Sequence, residues 1–176
     1  MLMNITKLIN SKKDSINHNA TLQEVLDFMI KQKIEYCILI KDKKPIGIIT
    51  EKDILILYTK HTNLEQKALK FSNAKLITSN ENRDLDYIFG LIVNYNIRRI
   101  IITNKDNLYL GTILQETIIY KFEENVFKSN IKAKELIKST HKALFTNSNS
   151  SIQECIEIMG EEDSGSILIF NNLKPI

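Results

Sequence analysis

The sequence predicts an α+β fold in which one small sheet-and-helix unit is built twice and begun a third time. Three observations predict it. KIEYCILIKDKKPIGIITEKDILI is answered by NIRRIIITNKDNLYLGTILQETII, with Gly111 following Gly47 at 64 residues. Leu85, Ile88, Phe89 and Ile92 repeat Leu22, Val25, Leu26 and Met29 at a constant offset of 63. The only two prolines of the chain fall in one tripeptide, Lys44-Pro45-Ile46 and Lys174-Pro175-Ile176, 130 residues apart. Self-similarity at a fixed spacing marks a repeat protein, so we divide the chain into 1–62, 63–128 and the unfinished start of a third copy, 129–176.

Taken in order, Asn4 to Asn10 supply one short helical turn and Ser15 to Asn17 a brief extended piece. Thr21 with Glu24 three residues on is a capping box, and Leu22, Val25, Leu26 and Met29 then give one apolar face of a helix reaching about Lys33. Tyr36 to Ile40 and Pro45 to Ile49 are apolar runs around the charged turn Lys41 to Lys44. A turn this short pairs them antiparallel. Gly47 lies inside the second strand, where a missing side chain marks a bulge or the close approach of a ligand or another backbone. A second helix runs from about Glu51 to Lys60.

The second copy repeats this order, with Gln115 to Lys128 expected to extend its last helix. Ile131 to Lys138 reads as the lead helix of the third copy. Ser151, Ile152, Cys155, Ile156 and Met159 then reproduce the helix pattern, and Ser166 to Phe170 the strand. The sequence stops inside the third hairpin, and a strand without its neighbour exposes an edge. We therefore expect a fragment of a longer protein or a domain completed by another chain. One copy offers too small a core to stand alone, so two should pack about a pseudo-twofold with their sheets facing across a cleft.

Composition narrows the function. Of 176 residues, 43% are hydrophobic and 26% charged, with a net charge of +3, which is ordinary globular material. The lysines are spread along the chain, which argues against a nucleic-acid groove. No apolar run is long enough to span a bilayer and Met1 to Asn10 lacks signal-peptide character, so a soluble, cytoplasmic protein is expected. Cys37 and Cys155 occupy apolar positions and read as small core residues. His18, His61 and His141 have no second ligand at metal-binding spacing. There is no nucleophile–base pair and no phosphate-cradling glycine loop, and hence no sign of an enzyme.

Thr50 and Asp53 sit at a helix start behind a glycine-bearing strand. Thr-x-x-Asp is a helix cap needing no ligand, yet a hydroxyl and a carboxylate at the positive end of a helix also suit a phosphate and a vicinal diol. Arg98 and Arg99 are two of only three arginines, and a guanidinium is the better fork for phosphate oxygens. The other reading is a solvated strand edge or an ion pair.

Gly47-Ile48-Ile49-Thr50-Glu51-Lys52-Asp53 resembles the glycine, two apolar residues, Thr or Ser, any two, Asp signature of the cystathionine-β-synthase (CBS) domain family, and the tandem copies resemble its usual pairing. The resemblance covers essentially the whole chain. It implies β-α-β-β-α repeats forming a CBS-domain pair with two clefts, which in that family commonly hold adenine nucleotides or related adenosyl ligands and regulate an attached domain. By position it implies Asp53 on ribose hydroxyls, Thr50 on phosphate, and Ser15, Ile16, Ala20, Ile34, Tyr36 and Ile48 around the base, although apolar positions facing a sheet also serve as core. Glu35 stands where the family often has a small residue and narrows that pocket. Leu114 and Thr117 replace the hydroxyl and carboxylate in the second copy, so its own ribose-phosphate site is expected to be lost, while Arg98 and Arg99 reach the first.

The function implied is a regulatory sensor of AMP, ADP, ATP or S-adenosylmethionine, with no cofactor required. It would be the N-terminal sensor of a larger signal-transduction protein, homodimeric, passing a conformational signal to an output domain in the same chain or a partner protein. The alternative is a ligand-free dimerisation or docking scaffold with degenerate clefts.

Overall fold

A computed structural model describes residues 5–10, 13–120, 143–162, 164–171 and 174–175. The expected extension of the helix at 115–128 beyond residue 120 and the lead helix at 131–138 lie outside the described residues.

Three sheets of the same design follow one another. In the first, β1 (Ser15–Asn17) runs parallel to β2 (Tyr36–Lys41), which pairs antiparallel with β3 (Lys44–Thr50). In the second, β4 (Thr78–Asn80), β5 (Arg99–Thr103) and β6 (Tyr109–Leu114) repeat that order. The third has β7 (Phe145–Asn147), β8 (Leu168–Asn171) and β9 (Lys174–Pro175). The strand expected to lack its neighbour does find one, since Phe170 and Asn171 pair with Pro175 and Lys174. Ser15 pairs with Ile38, Thr78 with Ile101 and Phe145 with Leu168, so the register is common to all three. A bulge also recurs, between Leu39 and Ile40 in one hairpin and Ile102 and Thr103 in the next.

The helices start where local chemistry dictates. Thr21 accepts from Glu24 N–H while the Glu24 side chain accepts from Thr21 N–H, closing the capping box of α1 (Leu22–Gln32), and Lys33 ends it in the left-handed conformation. Asp84 caps α3 (Leu85–Asn94) by accepting from Tyr87 N–H, and Ser151 with Glu154 forms the capping box of α5 (Ile152–Glu161). The helices α2 (Glu51–Thr59) and α4 (Gln115–Ile119) each begin on the residue after a strand.

The described chain divides into two compact units. One comprises Met1–Thr50 and Leu64–Phe127, the other Glu51–Asn63 and Lys128–Ile176. In the first unit Ile88, Ile92, Ile100, Ile102, Ile113 and Ile118 bury together with Ile5 and Leu8 from the leading 3-10 turn. Each such side chain contributes about 1.5–3 kcal/mol on burial. A second cluster, Tyr36, Ile38 and Ile101, joins the two sheets, and Ile48 packs against it. In the second unit α2 packs on α5, so the helix that closes the first sequence repeat groups with the third.

Both strand glycines are covered by chain. A Cβ on Gly47 would strike Ser72 Oγ, and Ile48 exchanges two backbone hydrogen bonds with Asn73, of 3.1 and 2.9 Å. Gly111, at φ +144°, faces Ile9 in the same way, and Asn10 N–H donates to Thr112 O at 2.8 Å. The open choice at Gly47 between ligand and backbone is thus answered by the connector. The cover is exchanged: residues ahead of the first copy lie on β6, and residues ahead of the second lie on β3.

Candidate functional site

At the meeting of the two sheets in the first unit, strand register sets the site. Tyr36 stands opposite Thr50 across the β2–β3 ladder, and Arg99 opposite Leu114 across β5–β6. Tyr36 and Arg99 hold equivalent places in the two copies, and they meet: the Arg99 guanidinium lies 4.4 Å from the centre of the Tyr36 ring. A cation over an aromatic face is favourable, more so when shielded from water.

Beside this contact is a cavity of about 470 Å³ lined by Ile34, Tyr36, Arg98 and Arg99 together with Leu114 and Thr117. Lys33 adds a third cation, while Glu35 and Glu116 add two carboxylates. The arrangement offers guanidinium donors for an anion next to an aliphatic wall. The cavity contains the second copy's Leu114 and Thr117, so the residues standing for the lost hydroxyl and carboxylate line the same space as the two arginines.

The other expected residues are dispersed. Ile16 and Ala20 line a separate, more open cavity of about 340 Å³ with Asn17, Asn19 and Glu24. Ser15 is held in β1 against Ile38. Ile48 packs into the inter-sheet core. Thr50 ends β3, and Asp53 lies in the first turn of α2, which belongs to the other unit.

Sequence reasoning missed the polar centre beneath the cavity. Asp14 is only 4% exposed and accepts from three hydroxyls: Tyr36 Oη at 2.9 Å and Thr112 Oγ1 at 2.6 Å on one oxygen, Tyr109 Oη at 2.6 Å on the other. The Tyr36 and Thr112 hydroxyls also touch each other, and Asn10 Nδ2 donates to Tyr36 Oη at 3.3 Å. Three of these side chains, Asn10, Asp14 and Tyr36, come from the segment before β1 and from β2, and two, Tyr109 and Thr112, from β6. A lone aspartate before a strand reads as solvated. The one available signal is that Tyr109 and Thr112 flank Gly111, where β6 must be closely covered.

Burial and the charge on Asp14 push the Tyr36 hydroxyl up to about 12 from 10.0. The same two causes raise Tyr109 further, and they move the Cys37 thiol up to about 12. Cys37 is thus a buried, protonated core thiol, and it and Cys155 are both free. The folded chain holds the Tyr36 proton more tightly than the unfolded chain does. The stability linked to Tyr36 is therefore complete below about pH 10 and lost as pH climbs through about 12. Denaturant titrations across that window should show a falling unfolding free energy, with less fall in Tyr36→Phe. A slope unchanged by that substitution would refute the linkage.

Among the described residues there is no group of three or more His, Cys, Asp or Glu able to hold a metal ion, and no helix long and apolar enough to cross a membrane.

Residues 6–60 match the family model for the CBS domain. The chain is 29% identical over 113 residues to the CBS domain-containing protein MJ0729 of Methanocaldococcus jannaschii, a match spanning 64% of this chain and 90% of that protein. Its fold is similar to that of the CBS domain protein PAE2072 from Pyrobaculum aerophilum, solved in complex with AMP. The TM-score is 0.62 at 21% identity, covering 78% of this chain and 100% of that one. Protein MJ1225 from Methanocaldococcus jannaschii superimposes with a TM-score of 0.81 at 17% identity, covering 99% of this chain and 68% of the other.

Proposed function

We propose, from the match of residues 6–60 to the CBS-domain family model and the likeness to a CBS domain-containing protein, that the chain is a regulatory, non-catalytic module of that family that senses an adenine nucleotide. The observation that supports this reading is the cavity in which Arg98 and Arg99 stand beside Ile34 and Tyr36. Guanidinium forks suit phosphate, and the apolar side suits a base. The likeness in fold to an AMP-bound relative points the same way. Thr50 and Asp53 are proposed, on their motif alone, for phosphate and ribose, and Ser15, Ile16, Ala20 and Ile48 for the surroundings of the base.

The signal has a physical route. A phosphate that engages Arg99 competes with its stacking on Tyr36, and those two residues belong to different copies. A ligand that prefers one arrangement of that contact shifts the population toward it. The receiver is an output domain, in the same chain or in a partner protein, and the module acts in the cytoplasm as a homodimer.

A second reading is favoured by Leu114, which stands where the first copy has the Thr50 hydroxyl, and Thr117, which stands where it has the Asp53 carboxylate: a docking scaffold that binds no nucleotide. Melting with and without nucleotide separates them. Ligand at 100 times its Kd stabilises by about 2.7 kcal/mol, a rise of roughly 5–10 °C for a chain of this size. Arg99→Ala is expected to weaken AMP and ATP about tenfold, or about 1.4 kcal/mol, while leaving adenosine unchanged, and Asp53→Ala to weaken all three. Equal losses for all three in Arg99→Ala would mean that Arg99 meets no phosphate. If AMP, ADP, ATP and S-adenosylmethionine all leave the melting temperature unmoved, the scaffold reading holds.

A further inference from the structure

The buried polar centre and the arginine-lined cavity share two side chains. Asn10 lines the cavity and donates to Tyr36 Oη at 3.3 Å, while Tyr36 lines it too and donates its hydroxyl to Asp14 at 2.9 Å. The second copy grips Tyr36 at both ends. Its hydroxyl meets Thr112, directly and through Asp14, and its ring face carries the Arg99 guanidinium at 4.4 Å.

This centre is built on one side of the pseudo-twofold only. The Asp14 carbonyl accepts from Ile38 N–H as the Ile77 carbonyl accepts from Ile101 N–H, and Thr112 pairs with Ile101 as Ile48 pairs with Ile38. The counterparts of the aspartate and the threonine are therefore two isoleucines, and the counterpart of Tyr36 is Arg99 itself. On that second side the same fold closes with apolar side chains, so it does not demand a buried carboxylate, which is costly to keep from water. A task beyond packing lies one residue away, since the side chain that Asp14 fixes is the one on which Arg99 rests.

We propose that Asp14 is a positioning residue for the cavity: acting through Tyr36, it holds the Arg99 guanidinium on the ring and so sets how strongly an anion must pull to engage it. The hold has two parts. The hydrogen bond from Tyr36 to Asp14 fixes the ring in place. Burial and the neighbouring carboxylate also keep the Tyr36 proton on the hydroxyl to about pH 12. A phenol that donates to a carboxylate is polarised toward phenolate, which strengthens the attraction of its ring for a cation. The proposal rests on the reading of this cavity as a phosphate site, and it adds the residue that governs how readily that site yields its arginine.

Calorimetry of the full chain with AMP and with adenosine tests it, on variants whose circular dichroism matches the wild type. Asp14→Asn keeps the shape and an acceptor but loses the charge, and should tighten AMP roughly fivefold while leaving adenosine unchanged. Tyr36→Phe keeps the Asp14 charge and cuts the link, and should raise the ratio of AMP to adenosine affinity to a similar extent. In the double variant Asp14→Asn should add nothing, because both substitutions break one relay. A carboxylate that merely repelled phosphate would give its full gain there, and that result would overturn the proposal. In nucleotide-free protein the ring-current shift of the Arg99 Nε–H resonance should shrink in Asp14→Asn, with Arg83, 4.7 Å from the Tyr87 ring, as the unchanged reference. An Arg99 resonance that stays in place, or an AMP affinity that is unchanged or weaker in Asp14→Asn, would sink the proposal and leave the nucleotide reading intact. AMP binding absent from the wild type and from every variant would remove that reading and the proposal with it.

Discussion

Asp14→Ala is expected to lower the unfolding free energy by about 3 kcal/mol, because buried hydroxyls lose their acceptor. Tyr36 and Thr112, 3% and 0% exposed, cannot turn to water, and alanine leaves them only each other and the Asn10 amide, which donates and cannot replace the lost acceptor. Removing the aspartate also removes the cost of keeping its charge from solvent, an opposing gain. The three hydrogen bonds of 2.6–2.9 Å already offset that cost in the native protein, so the loss of acceptors decides the sign. Urea unfolding checks it, with Tyr109→Phe as the milder comparison at about 1 kcal/mol. A change in Asp14→Ala below about 0.5 kcal/mol would place it among ordinary surface substitutions and refute its structural role. Since the acceptor and Tyr36 come from the first copy and Thr112 and Tyr109 from the second, the loss should loosen the pairing of the two sheets.

Gly111→Ala is the second large effect, about 3 kcal/mol of destabilisation from backbone strain and overpacking together. Two causes combine. A φ of +144° is a conformation that residues with a side chain rarely adopt, and the new methyl would collide with Ile9 Cγ2. Ile9→Ala in the same chain should return the steric part and leave the backbone part, so the double variant should recover partially. Gly90→Ala supplies the contrast: nothing stands within 4 Å of a Cβ there, and the site is inside α3. That substitution should stabilise by up to about 1 kcal/mol. Equal effects at the two glycines by thermal unfolding would contradict this account.

Much of the architecture was legible because it rests on local chemistry. The Thr21–Glu24 box, the apolar spacing that α1 and α3 share, and the charged turn between β2 and β3 each need only a few neighbouring residues. The site was legible in part. Ile34, Tyr36, Arg98 and Arg99 do line one cavity, since strand starts at equivalent places come together when two copies pair. Asp14 was not, because its partners Tyr109 and Thr112 lie 95 and 98 residues away and nothing in the spacing marks them. The grouping of α2 with α5 was hidden for the same reason. The face each helix offers is local, but the choice of which neighbour covers it depends on tertiary packing.

The exchanged cover over the two glycines bears on synthesis from the ribosome. Chains emerge from the amino end, so β3 is made well before Ser72 and Asn73 can close over Gly47. Ile9 and Asn10, made earlier, must likewise wait for Thr112 to appear. Neither half can reach its mature form while the other is absent. Loss of Ile9 and Asn10 would therefore injure the second sheet, far down the chain from the cut.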